Sequence, residues 1–458
     1  MFELGRGLKK LFTERGRRPH DGLTAGDSSL LELLDLNLLT EEARAADVAA
    51  ARLGEADKPR RRLEAAIAWR EVARRTGDAV ALRKAAALAE TAAAGYEAAR
   101  RHDGFARARA EQAFCALLGA EIFGDPGLDA AAEVAFREAR TQCRSGATAA
   151  LADIGLAAIA GRRGLEKGDA VEARAISETF AAPIAALEAL ARRTPSARAL
   201  AAEARLARAD LLCGWGARLQ DADLLQLAVD DADAAVARLD SAYEPITLAR
   251  ALAARGQALV LLGETTGDVG PIADGAEAVA GALDQIPRDH SPLDWARCQI
   301  ALGQGLQALG EAADDPRAFE QSVLSFDRAL LVLKTSSLPL RGLAASARAL
   351  SLARNAELTG DLAILDAAQA AMKMELVALT PRKDPVGWAL AQLHLARLYE
   401  ARTALTGIDR GERAAALTAL DAALDVFAEH GLRSLSIQAT EAVERLKVPG
   451  QAGAWRLE

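Results

Sequence analysis

The chain has 458 residues, 51% of them hydrophobic, yet it carries only 5 Trp, 3 Tyr and 10 Phe, so Ala and Leu supply its apolar volume and a β-rich fold is disfavoured. Lys and Arg number 56 against 64 Asp and Glu, a formal charge of -8 that argues against a nucleic-acid binder held by phosphate neutralisation. Length alone would suggest about three domains, a prior that yields when a sequence repeats itself.

In chain order, residues 1–26 read as a basic arm. The first 18 hold Arg6, Lys9, Lys10, Arg15, Arg17 and Arg18 against Glu3 and Glu14. As a helix they would gather Phe2, Leu4, Leu8, Leu11 and Phe12 as apolar groups beside Arg6, Lys9 and Lys10, the composition of an interfacial helix on an anionic membrane or of a partner contact. Gly5, Gly7 and Gly16 weaken that helix, and a basic arm docked on the protein's own repeats gives the same string. No signal-peptide core follows, and no uninterrupted apolar run reaches the roughly 18 residues of a membrane span. The expected location is cytoplasmic, with the inner membrane face as the alternative. Residues 27–58 read as an N-terminal helical cap: Ser29-x-x-Glu32 offers a capping box, and a second helix starts near Thr40. The leucines from Leu30 to Leu39 fall on more than one face, which leaves self-association or partner docking open.

From Pro59 to Val448 the sequence repeats. Pro245, Pro292, Pro339 and Pro385 are separated by 47, 47 and 46 residues, and each opens a similar phrase, most alike in Pro292-Leu-Asp-Trp295-Ala296 and Pro385-Val-Gly-Trp388-Ala389. Proline suits the first turn of a helix, where its missing N–H has no partner to lose. About 20 residues later come Gly267-Asp268, Asp314-Asp315, Gly360-Asp361 and Gly407 with Asp409; upstream stand Gly77-Asp78, Gly124-Asp125, Gly168-Asp169 and Gln220-Asp221. Such pairs end one helix in the left-handed conformation and cap the next. Second helices then place Val279, Ala282 and Leu283, or Phe326, Ala329 and Leu330, or Met372, Glu375 and Leu376, or Leu420, Ala423 and Leu424, on one face. About eight hairpins fit, an all-α solenoid leaving no room for an inserted catalytic domain. Residues 449–458 form a tail.

The phrase Leu302-Gly303-Gln-Gly-Leu306 followed by Phe326-Asp-Arg-Ala329-Leu330 resembles the tetratricopeptide repeat, Leu-Gly-x-x-Tyr and later Phe-x-x-Ala. The period of about 46 exceeds the family's roughly 34, so the helices should be longer, and Leu306 stands where the family has Tyr. The resemblance implies a right-handed α-solenoid that binds protein segments as a scaffold or adaptor. It also implies that Gln257, Gln304, Gln307, Ser351, Arg354, Arg397 and Glu400 line its groove. Those residues lack the repeated Lys and Asn by which some members clamp a chain's terminal carboxylate. HEAT and armadillo units share the period.

Nothing in the sequence points to a cofactor or a metal, and the expectation is a non-catalytic protein, with an enzyme whose site lies between repeats as the weaker alternative. His20, His102, His290, His394 and His430 are dispersed without ligand spacing. Gly303-Gln-Gly305-Leu-Gln-Ala-Leu-Gly310 lacks the Gly-Lys-Ser/Thr of a phosphate loop and lies within a helix, so its glycines serve close packing. Cys115, Cys143, Cys213 and Cys298 read as small buried hydrophobes, and Trp295 and Trp388 as packing between hairpins.

Overall fold

The computed structural model of the chain describes residues 29–52, 58–125, 127–143, 146–165, 168–194, 197–333, 338–382, 385–430 and 433–447, and among them no strand occurs. The basic arm, with Phe2 through Phe12, and the C-terminal tail lie outside the described residues.

A 3-10 turn over Ser29–Leu33 precedes α1 (Leu36–Arg52). Eight hairpins follow: α2 (Lys58–Thr76) with α3 (Ala79–Ala98), α4 (His102–Phe123) with α5 (Gly127–Gln142), and α6 (Gly146–Leu165) with the broken pair α7 (Ala170–Thr179) and α8 (Ala181–Ala191). Next come α9 (Arg198–Leu219) with α10 (Ala222–Val236), α11 (Pro245–Thr266) with α12 (Val269–Gln285), and α13 (Pro292–Ala313) with α14 (Pro316–Val332). The last two are α15 (Leu338–Thr359) with α16 (Leu362–Ala378) and α17 (Pro385–Thr406) with α18 (Glu412–Glu429), and α19 (Arg433–Lys447) packs on α18. The hairpins build two compact units, Met1–Cys298 with Thr335–Ser337 and Gln299–Lys334 with Leu338–Glu458, and the division falls inside α13. Within each unit the first helices of successive hairpins touch, α2 on α4 and α9 on α11 in one, α15 on α17 in the other, as stacking requires.

The turns follow the signals that predict them. Gly77, Gly124, Gly267, Gly360 and Gly407 all have φ between 65° and 72°. The following Asp then accepts from the next helix: Asp78 from the Val80 N–H at 2.7 Å, Asp268 from Gly270 at 2.9 Å, Asp315 from Arg317 at 3.0 Å and Asp361 from Ala363 at 2.8 Å. In the last hairpin one residue, Ile408, separates Gly407 from the Asp, and Asp409 receives the N–H groups of Gly411 and Arg413. First helices are long as expected: α4, α9, α11, α13, α15 and α17 each span 22 residues, about 33 Å at 1.5 Å per residue.

Small residues govern the packing. Val279, Ala282, Phe326, Ala329, Leu420 and Ala423 are fully buried. A Cβ on Gly303 would stand 2.7 Å from the Phe326 ring and one on Gly310 2.8 Å from the Phe319 ring, so the run that superficially suggests a phosphate loop is a packing surface. Cys115, Cys213 and Cys298 are buried, whereas Cys143 is half-buried. Trp388 is half-buried against the core around Leu393 and Leu420, and Trp295 is half-buried as well. Helix α11 meets a length and mean-hydropathy criterion for a membrane span, but it carries Arg250 and Arg255 and half of that stretch is buried in its own unit.

The N-terminal cap departs from expectation. The helix begins at Leu36 rather than near Thr40, because Asp35 accepts from the Leu38 N–H at 2.9 Å and caps it. The Glu32 half of the expected capping box goes elsewhere: Ser29–Leu33 is a 3-10 turn, and the Glu32 side chain leaves for a distant helix described below. The leucine run is divided, with Leu31 and Leu39 buried and Leu38 exposed.

Two hairpins take the left-handed position without glycine, at Gln220 (φ 54°) and Asp314 (φ 49°). Left-handed backbone at a residue with a Cβ costs roughly 1 kcal/mol. Gln220→Gly and Asp314→Gly should each therefore raise the urea midpoint of the unit that holds it, by about 1 kcal/mol or somewhat less for Asp. An unchanged or lowered midpoint for Gln220→Gly would remove the conformational argument.

Candidate ligand-binding cavity

Four first helices of the N-terminal unit turn the same kind of face inward. Ile67, Arg70, Glu71 and Arg74 on α2, Arg107, Ala110, Glu111 and Phe114 on α4, and Leu200, Glu203, Ala204 and Ala207 on α9 share the spacing i, i+3, i+4, i+7. Ala147, Thr148, Leu151 and Ile154 of α6 complete the wall, and Glu32 joins it from the N-terminal turn. That spacing is one stripe of an α-helix. Together these stripes enclose a cavity of about 530 Å³.

Its charges are matched. Arg70 donates to both Glu111 oxygens at 2.5 and 3.3 Å and lies 5.6 Å over the Phe114 ring. Glu203 receives Arg250 at 3.1 Å. Burial pushes the Arg107 guanidinium below its ordinary value, with Glu111 opposing. Asp210, on α9 just beyond Ala207, is solvent-exposed.

Beside the cavity the unit closes on itself. Arg74 donates to both oxygens of Glu71, one turn back on α2, and to Asp294 on α13 at 2.7 Å, across 220 residues of sequence. Asp294 also accepts from the Ser291 hydroxyl at 2.5 Å. Against the cost of burial, Arg74 and Arg75 hold Glu71 well below the usual carboxylate range, and Arg74 foremost lowers the Asp294 carboxyl. Arg75, fully buried, donates to Glu71 and to the carbonyls of Leu31 and Leu34. Glu32 accepts from the Ile246 and Thr247 N–H groups, each at 2.9 Å, and from the Thr247 hydroxyl, while His290 Nε2 donates to the Glu32 carbonyl at 2.7 Å. Desolvation dominates at Glu32 and raises its carboxyl to about 7 despite the Thr247 bonds.

The groove residues expected from the resemblance are elsewhere. Gln257 is exposed on α11 in the N-terminal unit. The other six lie in the C-terminal unit, where contacts between hairpins already occupy several of them. Ser351 is fully buried, 3.0 Å from the Ser322 hydroxyl and donating toward Gln307 at 3.1 Å, so it packs α15 against its neighbours. Arg354 grips Glu311 on α13 at 2.9 Å and Glu357 on its own helix. Arg397 is buried 3.8 Å from Glu357, and Glu400 stands 3.7 Å from Arg445 of α19. Gln304 is half-buried on α13. The cavity-lining stripe of the N-terminal unit was not anticipated. One signal for it was present: Glu203 and Arg250 are opposite charges one repeat apart, as are Arg198 and Glu244.

No family model matches the chain, and no curated protein does. Among solved structures it is similar to a Rap protein complexed with competence and sporulation factor, at 10% identity over 88% of this chain and 98% of that one with a TM-score of 0.41. It is also similar to yeast Tom70, at 11% identity over 90% and 98% with a TM-score of 0.23, and to the TPR domain of P58(IPK), at 14% over 88% and 99% with a TM-score of 0.19. Its stacked hairpins make the chain an all-α helical-repeat protein.

Removing one partner of a buried ion pair strands the other, at a cost of about 3–5 kcal/mol. Arg74→Leu should destabilise the N-terminal unit by that order in urea, and adding Asp294→Leu should recover part of the loss. Full additivity of the two would break the link between α2 and α13. In the C-terminal unit, burial first and Arg397 second push the His394 imidazole down to about 4, and its Nδ1 has no hydrogen-bond partner. Its folded value is depressed from 6.5, so the stability due to the neutral ring is full above about pH 6.5 and lost as the pH falls through about 4. Urea titrations at several pH values should therefore show His394→Leu flattening that acid dependence, whereas parallel curves for the two proteins would exclude the ring as its source.

Proposed function

We propose that the protein is a non-catalytic scaffold that takes a short extended segment of a partner protein into the cavity of its N-terminal unit. The observation that carries this reading is the repeated inward stripe on α2, α4, α6 and α9, which gives one continuous lining from four separate hairpins. A volume of about 530 Å³ falls in the range typical of ligand sites. The lining sets aliphatic groups beside charged ones, the Arg70–Glu111 pair and Glu203, which Arg250 holds from outside the lining. Such a surface can receive both apolar side chains and the polar groups of a peptide, with the charge pairs providing discrimination more than bulk affinity. The ionisable groups are engaged with one another, an arrangement suited to recognition. Gln257 stands as a surface position of the N-terminal unit.

Selection of short peptides from a displayed random library on the immobilised full-length protein, followed by calorimetry, tests the reading. Peptides of related sequence should be enriched. Their affinity should fall at least about tenfold, or ~1.4 kcal/mol, in Ala147→Trp, which fills the cavity from the first turn of α6, and in Glu203→Arg, but not in Gln257→Ala. Failure to enrich, or binding that ignores Ala147→Trp, would place the partner outside the cavity.

A further inference from the structure

The turn Ser29–Leu33 is part of no hairpin, yet it is fastened to both sides of the seam at which the N-terminal unit closes. On the α2 side, Arg75 binds the carbonyls of Leu31 at 2.6 Å and Leu34 at 2.7 Å. On the other side, the Glu32 carboxylate covers the first N–H groups of α11, and His290, in the loop before α13, holds the Glu32 carbonyl. The contrast with the other helices is informative. Helices α10, α12, α14 and α16 are each capped by the Asp that immediately precedes them. Glu244, which precedes α11, makes no side-chain cap at all. The N-terminus of α11 therefore depends on a carboxylate from 214 residues away, at a site where Ile246 and Thr247 are wholly buried and water cannot substitute. Glu32 also forms part of the cavity wall.

We infer that residues Ser29 to Leu34 are a strap that latches the N-terminal unit shut across the α2–α13 seam, and that departure of Glu32 from α11 opens the seam and the cavity behind it. The strap is short and held mainly by polar contacts, with Leu31 as its buried apolar anchor. Segments of that kind detach at lower free energy than the packed hairpins they cover. Its position at the wall of the cavity makes the same residues both a part of the lining and the device that governs entry. The inference concerns closure of the unit alone and holds whichever ligand the cavity takes.

Native cysteines report on the seam. Cys298 is one turn beyond Asp294 on the same face of α13 and is 2% exposed, its thiol pushed up to about 12 by burial; Cys213 on α9 is also buried, within the core of the unit and away from the strap. Alkylation of the full-length protein, read by mass spectrometry site by site, should be about tenfold faster at Cys298 in Glu32→Ala than in the wild type, with Cys213 unchanged, as a local opening demands. Glu32→Gln, which keeps an oxygen acceptor for the two N–H groups, should remain close to the wild type. Equal protection of Cys298 in Glu32→Ala and wild type would overturn the latch. So would a parallel rise at Cys213, because Glu32 would then hold up the whole unit instead of one seam.

Discussion

An alanine-rich helix has little side chain to bury, so its stability in water depends on backbones approaching closely enough for dispersion and area burial to add up over a long contact. This constraint shapes the whole molecule. Gly256 and Gly275 face one another across the α11–α12 hairpin so tightly that a Cβ on Gly275 would stand 2.6 Å from the Gly256 carbonyl oxygen. Elsewhere a glycine receives a ring, as Gly310 receives Phe319. With 22 residues in most first helices, the contact is lengthened where it cannot be thickened. A hairpin built this way still leaves one face bare, and only another hairpin of the same pitch fits it.

Close-packed helices leave no volume between them for large polar groups, which are displaced toward the inward stripes and the seam. Arginines there reach carboxylates on neighbouring hairpins, often one repeat away: Arg250 to Glu203, Arg198 to Glu244, Arg354 to Glu311. Such pairs add little stability where water reaches them and are expensive to break where it does not. Their main effect is to fix which hairpin sits beside which. The Arg74, Glu71 and Asp294 group extends the same device from neighbours in sequence to elements 220 residues apart.

The hairpins were legible in the sequence because their signals are local. A left-handed residue and the Asp after it lie within one turn, and the energetics of that turn hardly depend on the rest of the chain. Even Gln220 and Asp314 betray the position through the Asp that follows. Glu32 illustrates the opposite case. Its spacing from Ser29 satisfies a local rule, but the buried N–H groups of α11, which have no cap of their own, outbid it. Competition between a local partner and a distant one is decided by desolvation, which a linear reading does not contain. The inward stripe of the N-terminal unit was missed for a related reason. Family alignment from Gly303 fixes a position along the helix, whereas the inward stripe of α2, α4 and α9 is set by how the N-terminal unit curls until α2 meets α13.

For the proposed uptake of a partner segment, that curling has a consequence. An open solenoid offers its ligand a shallow face along which many weak contacts must add up, and the ligand loses conformational freedom along its full length. When α2 and α13 are joined, the lining is fixed before a ligand arrives, so Arg70 and Glu111 are already in place and less ordering remains to be done on binding. Closure also restricts the route by which a segment can enter. If the proposed latch governs entry, preorganisation and access are set by the same few contacts at the seam, and a change that loosens Arg74, Asp294 or Glu32 to widen the entrance also blurs the surface that the entrance leads to.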